Sequence, residues 1–224
     1  MKHLKWAALL SVLCLAPLAL AGTPLICFPF DIGNARSLPW IQDRGIGSPH
    51  GGYDSSRLAA DTASLLAQDT PVIVRMETLR RAALYSAKNA DAGRRLLESL
   101  KARAEAGKAA RQGLAVFDYG YYKATMAQLN AEKAYATGTT GTNQGYDLVR
   151  EAMQLRGGDP EMEFAAAVIT LWPKRPQHAE HLRNAVAGAQ GDDLLAANLS
   201  SHFPSLGLTP ADLRNGKIAS SKKR

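Results

Sequence analysis

Cysteine is almost absent from this chain. Its 224 residues contain two, Cys14 and Cys27. Lys2 and Lys5 precede an uncharged apolar stretch, Trp6 to Leu20, and Ala19-Leu20-Ala21 supplies a small-x-small cleavage pattern. Residues 1–21 therefore read as a cleavable secretory leader. The apolar stretch falls short of the about 20 residues of a membrane span, and Pro17 interrupts it. Cleavage would remove Cys14 and leave Cys27 alone, which excludes an internal disulfide and leaves the fold to packing. Neither cysteine follows a small residue, so the lipoprotein pattern is missing too.

Other absences narrow the class. No later segment is long and apolar enough to cross a bilayer, so the mature chain carries no transmembrane segment. No stretch alternates with period two, so strands are not expected. No hydrolase signature, metal-ligand set or phosphate loop is present; Gly45 to Gly52 is glycine-rich but follows no strand. No cofactor is implied. The charge is +7 from 27 basic and 20 acidic residues, and +5 without Lys2 and Lys5. Basic residues are sparse around the aromatic ones, so a nucleic-acid partner is not expected. Residues 217–224 hold Lys217, Lys222, Lys223 and Arg224. They form a basic flexible tail capable of weak contact with an anionic surface.

What is present is a helical body behind an irregular arm. Residues 22–52 contain Pro24, Pro29, Pro39 and Pro49 with six glycines, yet also Leu25, Ile26, Phe28, Phe30, Ile32 and Trp40. So many large apolar groups predict an arm laid along the body rather than a disordered linker. From Tyr53 to Gly216 the spacing is helical. A first helix capped by Asp54 or Ser55 runs to Gln68. Thr70 caps the next, with Pro71 at its first position. A third starts near Ala92. Leu114 to Leu129 carries two apolar stripes, one with Phe117 and Tyr121 and one with Tyr122, as in a helix buried between neighbours. The TGTTGT loop at 137–142 divides two helical runs. The fold class is all-α.

The second run repeats weakly. Arg150-Glu-Ala-Met before Gly158-Asp159 is echoed 33 residues later by Arg183-Asn-Ala-Val before Gly191-Asp192. Ala152 to Phe164 (AMQLRGGDPEMEF) resembles the passage from one tetratricopeptide-type repeat into the next, and the resemblance covers about residues 146–203. Ala167, Thr170 and Arg183 depart from that pattern. The resemblance implies stacked antiparallel helical hairpins, as a TPR-like α-solenoid or an irregular α-α bundle. Such hairpins present a groove for a peptide or protein partner.

Three groups of residues could carry chemistry. Cys27 and His50, both in the arm, would form a thiolate–imidazole pair if the chain joined them. His178 and His181 share a helix at a spacing able to take a metal, although no third ligand accompanies them. Trp40, Phe117, Tyr121 and Tyr122 are candidates for lining a groove or packing a core. Asn198-Leu-Ser200 is a glycosylation sequon on a helix. The expectation is an exported binding or scaffold protein, periplasmic or extracellular, with a Cys27 enzyme as the alternative.

Overall fold

The structure, a computed structural model, covers residues 23–42, 45–137, 144–171 and 174–216, with backbone only for 131–137. The leader, most of the 137–142 loop and the basic tail lie outside the described residues. Among the described residues helix dominates: ten helices pack on one another beside one two-stranded sheet.

The arm opens with a short helix α1 (Pro24–Cys27) and continues into an antiparallel hairpin. Its strands are β1 (Trp40–Ile41) and β2 (Ser48–Pro49), with Trp40 opposite Pro49. The body follows as α2 (Leu58–Leu65), α3 (Val72–Lys88), α4 (Ala90–Ala109), α5 (Gly113–Thr137), α6 (Gln144–Arg156), α7 (Pro160–Leu171), α8 (His178–Ala187), α9 (Asp193–His202) and α10 (Pro210–Arg214). Side-chain caps explain several starts, because the first N–H groups of a helix have no partner within it. Asn89 accepts from Ala92 N–H at 3.1 Å, Asp159 from Met162 N–H at 3.2 Å and Asp192 from Leu195 N–H at 2.9 Å. Asp54 caps a 3-10 turn, Ser55–Arg57, that leads into α2. That helix stops at Leu65, three residues earlier than its apolar pattern predicts. Where α5 crosses α6, a Cβ on Gly145 would overlap the Gly120 carbonyl oxygen and the Ala124 nitrogen, so only glycine permits the approach.

The start of α3 departs from expectation. Pro71 is the N-cap and Thr70 does not cap; its hydroxyl donates to Leu65 O at 3.0 Å. The cap arrives from α7 instead. Glu161 accepts from Ile73 N–H at 3.2 Å and from Val72 N–H. Burial, then the nearby Asp192 charge, raise the Glu161 carboxyl to about 7.

Helix α3 is the centre of the fold. Residues 72–80 are all buried, including the charged Arg75, Glu77 and Arg80. Arg80 grips Glu77 with two hydrogen bonds, Nε to Oε2 at 2.7 Å and Nη2 to Oε1 at 2.9 Å. The remaining capacity of this pair goes to arm backbone. Arg80 Nη1 donates to Ile26 O at 3.0 Å, and Phe30 N–H donates to Glu77 Oε2 at 3.2 Å. Arg81 joins in, donating from Nε to Glu77 at 2.7 Å and from Nη1 to Leu38 O at 2.9 Å. Farther along the arm, Asn198 of α9 brackets Asp31, accepting its N–H at 2.9 Å and donating to its carbonyl at 2.8 Å. Asn198 is fully buried with its amide committed, so the folded protein does not present it as a glycan acceptor.

Leu25, Phe30 and Leu38 of the arm belong to the same apolar cluster as the helices. Each such burial contributes about 1.5–3 kcal/mol. The polar clamp sets where they dock.

Two predictions follow from α3. Glu77→Ala leaves Arg80 as an uncompensated buried charge and should cost about 3–5 kcal/mol in urea unfolding. A loss under about 1 kcal/mol would mean that the clamp is not structural. The second concerns pH. Folded Glu161 keeps its proton up to about 7, whereas an unfolded glutamate releases it near its usual 4.5. This group's contribution is therefore full below pH 4.5 and declines as pH rises through 7, by on the order of 3 kcal/mol. Glu161→Gln keeps an acceptor for α3 without the charge. The stability of the variant relative to wild type should rise between pH 5 and pH 8, and a flat difference would refute the assignment.

Candidate functional site

The hairpin and the start of α2 build an open depression over Tyr85 of α3. Tyr85 OH donates to Pro39 O at 2.6 Å and accepts from His50 N–H at 3.0 Å, which pins both sides of the hairpin to one phenol. Trp40 meets Tyr85 edge-on, with ring centroids 6.2 Å apart, and the guanidiniums of Arg80 and Arg81 lie 5.1 and 5.6 Å from its ring centroid. Its indole N–H donates to Ile46 O at 3.3 Å and closes the hairpin. Gly47, at φ 68°, packs so tightly against this indole that a Cβ would overlap it.

The depression has a volume of about 370 Å³ and is lined by Pro39, His50, Gly52, Tyr53, Asp54 and Arg57. The Tyr53 ring tilts against Tyr85 at 4.6 Å, and its hydroxyl donates to Asp61 at 2.9 Å. Burial, reinforced by Asp61, pushes this phenol well above its ordinary range, so it stays neutral. Exposed His50 accepts Gly52 N–H on Nδ1 at 3.2 Å. Its other nitrogen is the one left to meet a ligand. Beside the bowl, Ile41 and Ile46 are 44% and 36% exposed, high values for isoleucine. Aromatic faces, an imidazole, a guanidinium and exposed aliphatics suit contact with a polypeptide.

A second constellation lies inside the body. Tyr146 OH meets His181 Nε2 at 2.7 Å, and His181 Nδ1 meets Glu163 at 2.6 Å. A neutral imidazole with its proton on Nδ1 satisfies both bonds. Asn184 donates to the other Glu163 oxygen at 3.2 Å. Arg175 and Arg150 stand 5.1 and 5.9 Å from the Tyr146 ring centroid. A carboxylate–imidazole–phenol chain can move a proton, but Tyr146 and His181 are only 2% and 8% exposed. The chain ties α6, α7 and α8 together rather than facing a substrate. Burial raises the Tyr146 pKa accordingly.

The residues singled out from sequence divide among these places. Trp40 and His50 come together on Tyr85, through the hairpin. Cys27 is half-buried at the end of α1, a helix that packs on α5 and α7, and the backbone of His50 is held by Tyr85 of α3. The imidazole beside this end of the arm is His202. It stacks on Phe30 at 4.7 Å, with Nε2 3.4 Å from Phe28 O, and burial lowers its pKa. Phe117, Tyr121 and Tyr122 are at most 1% exposed. They line no open groove: α5 is wrapped by α3, α4 and α6, so both of its aromatic stripes are core. His178 and His181 do not act as a pair. His178 Nδ1 meets Ala167 O at 2.9 Å, while His181 joins the chain above. Among the described residues, no group of three or more His, Cys, Asp or Glu is placed to hold a metal ion. The sequence reading missed Tyr53, Arg57 and Tyr85. A tyrosine one turn beyond Arg81 on a buried helix was the available signal.

The internal chain yields a stability prediction. Tyr146→Phe leaves His181 Nε2 buried without its donor and should cost about 1–3 kcal/mol by chemical denaturation. A cost below about 0.5 kcal/mol would remove the structural role assigned to this bond.

No known family model, curated protein or solved structure matches this chain, and no tetratricopeptide repeat is identified in it.

Proposed function

We propose that this chain is an exported, non-catalytic binding protein of the periplasm or cell exterior, and that a peptide or protein segment docks on the hairpin face. The observation that carries this reading is the pair of exposed isoleucines, Ile41 and Ile46, beside the open bowl of His50, Tyr53 and Arg57. Exposed aliphatics next to aromatic and guanidinium groups are the composition of an interface core. The burial of Tyr146 and His181 points the same way, since the best-organised proton chain in the body is closed to substrate. The helical body supplies the platform, and the arm is fixed to it by Glu77, Arg80 and Arg81. Among the described residues no helix is long and apolar enough to cross a membrane.

Site-directed photo-crosslinking in the exporting cell tests the reading. A photoreactive residue at Ile41 or Ile46 should give a discrete protein adduct in the exported fraction. The same residue at Leu97, on the outer face of α4, should give none. Arg57→Glu should weaken the hairpin adducts severalfold. Equal adducts at all three positions, or none at the hairpin, would discard this surface.

A further inference from the structure

A second cavity, independent of the hairpin face, lies at the far end of α2. It has a volume of about 280 Å³ and sits where the ends of α2 and α4 meet the start of α5. Its polar members are Arg75, Arg103, Gln68 and Gln112; the walls include Leu66, Ala106, Ala110, Leu114 and Ala115. We propose that this cavity is a binding site for a small organic carboxylate with a short aliphatic tail.

Two fixed guanidiniums supply the charge. The Arg75 side chain is 1% exposed and is held by Asp118 at 2.8 Å, by Thr70 O at 3.0 Å and by Ala67 O. Arg103 donates to Ala63 O at 3.3 Å and Leu66 O at 3.0 Å. A guanidinium has five N–H donors, so both arginines keep donors without a protein acceptor among the described residues. These bonds preorganise the two forks without exhausting them. Asp118 is the carboxylate that answers this charge, and it does so through one oxygen only: Oδ1 is buried and accepts no hydrogen bond. One carboxylate against two guanidiniums leaves the site cationic. The first turn of α5, whose residues Leu114 and Ala115 line the cavity, holds no acidic residue to oppose an anion at the positive end of the helix dipole. Glu105, next to wall residue Ala106, pairs with Lys101 at 3.8 Å.

The ligand class follows from shape and chemistry. A guanidinium fork matches the plane and spacing of a carboxylate. The alanine and leucine walls favour an aliphatic tail, with the Gln68 and Gln112 amides as the polar groups beside the arginines. The rim is also built with strain. Arg111, between lining residues Ala110 and Gln112, holds φ 56°, where helix C-termini ordinarily carry glycine. Non-glycine residues in that conformation cluster at ligand sites.

Titration calorimetry of the full chain with hexanoate, and with hexanol as its neutral match, tests the site. Hexanoate should bind with 1:1 stoichiometry and hexanol at least about tenfold more weakly, the margin of a lost charged hydrogen-bond pair. Arg103→Gln should weaken hexanoate about tenfold or more. Because Arg103 also closes α2, Ala106→Phe is the second variant; it fills the cavity from a solvent-facing wall position and removes no side-chain hydrogen bond. It should abolish hexanoate binding with the unfolding midpoint retained. Equal binding of hexanoate and hexanol, no hexanoate binding, or unchanged affinity in a folded Ala106→Phe protein would each overturn the proposal. None of these outcomes bears on the hairpin face, whose adducts are read separately.

Discussion

The bidentate pair between Arg80 and Glu77 is the constraint on which the rest of this protein depends. A buried pair is stabilising only when its remaining donors and acceptors are satisfied. Here the arm satisfies them. Ile26 O, Ile46 O, Phe30 N–H and, through Arg81, Leu38 O take up donors and acceptors of the two groups. The arm cannot leave without stranding charge in the core, and the charges cannot sit in the core without the arm. This explains a helix that is both the most buried in the body and among its more charged.

The same helix organises both surface features. At its C-terminal half, Tyr85 anchors the hairpin and makes the floor of the open bowl. At its N-terminal half, Arg75 reaches the end of α2 and the wall of the second cavity. The two places sit at opposite ends of α2 and are held by different residues. Each combines a fixed guanidinium or aromatic framework with an opening to solvent, whereas the Tyr146–His181–Glu163 chain is closed and serves packing.

Much of the helical body was legible because its signals are local. Apolar spacing of three and four residues marked α3, α4 and α5. Aspartates after glycines marked the starts of α7 and α9, since a capping oxygen need reach only two or three residues along the chain. Where the sequence reading failed, the decisive partner was distant. Thr70 looks like a cap for α3, yet the cap is Glu161, 88 residues away. Phe117, Tyr121 and Tyr122 read equally well as groove or core, because a helix with two apolar faces does not reveal what covers the second.

Helical periodicity and local caps determine a mostly α-helical body. Both are properties of neighbouring residues, so the sequence alone carries them. Tertiary structure decided the rest: that Glu77 and Arg80 face inward, that Trp40 and His50 share one phenol, and that Glu161 supplies the cap of α3. These outcomes depend on hydrogen bonds between residues tens of positions apart. Such bonds have no periodic trace in the sequence, and their energies exist only once water has been excluded around them.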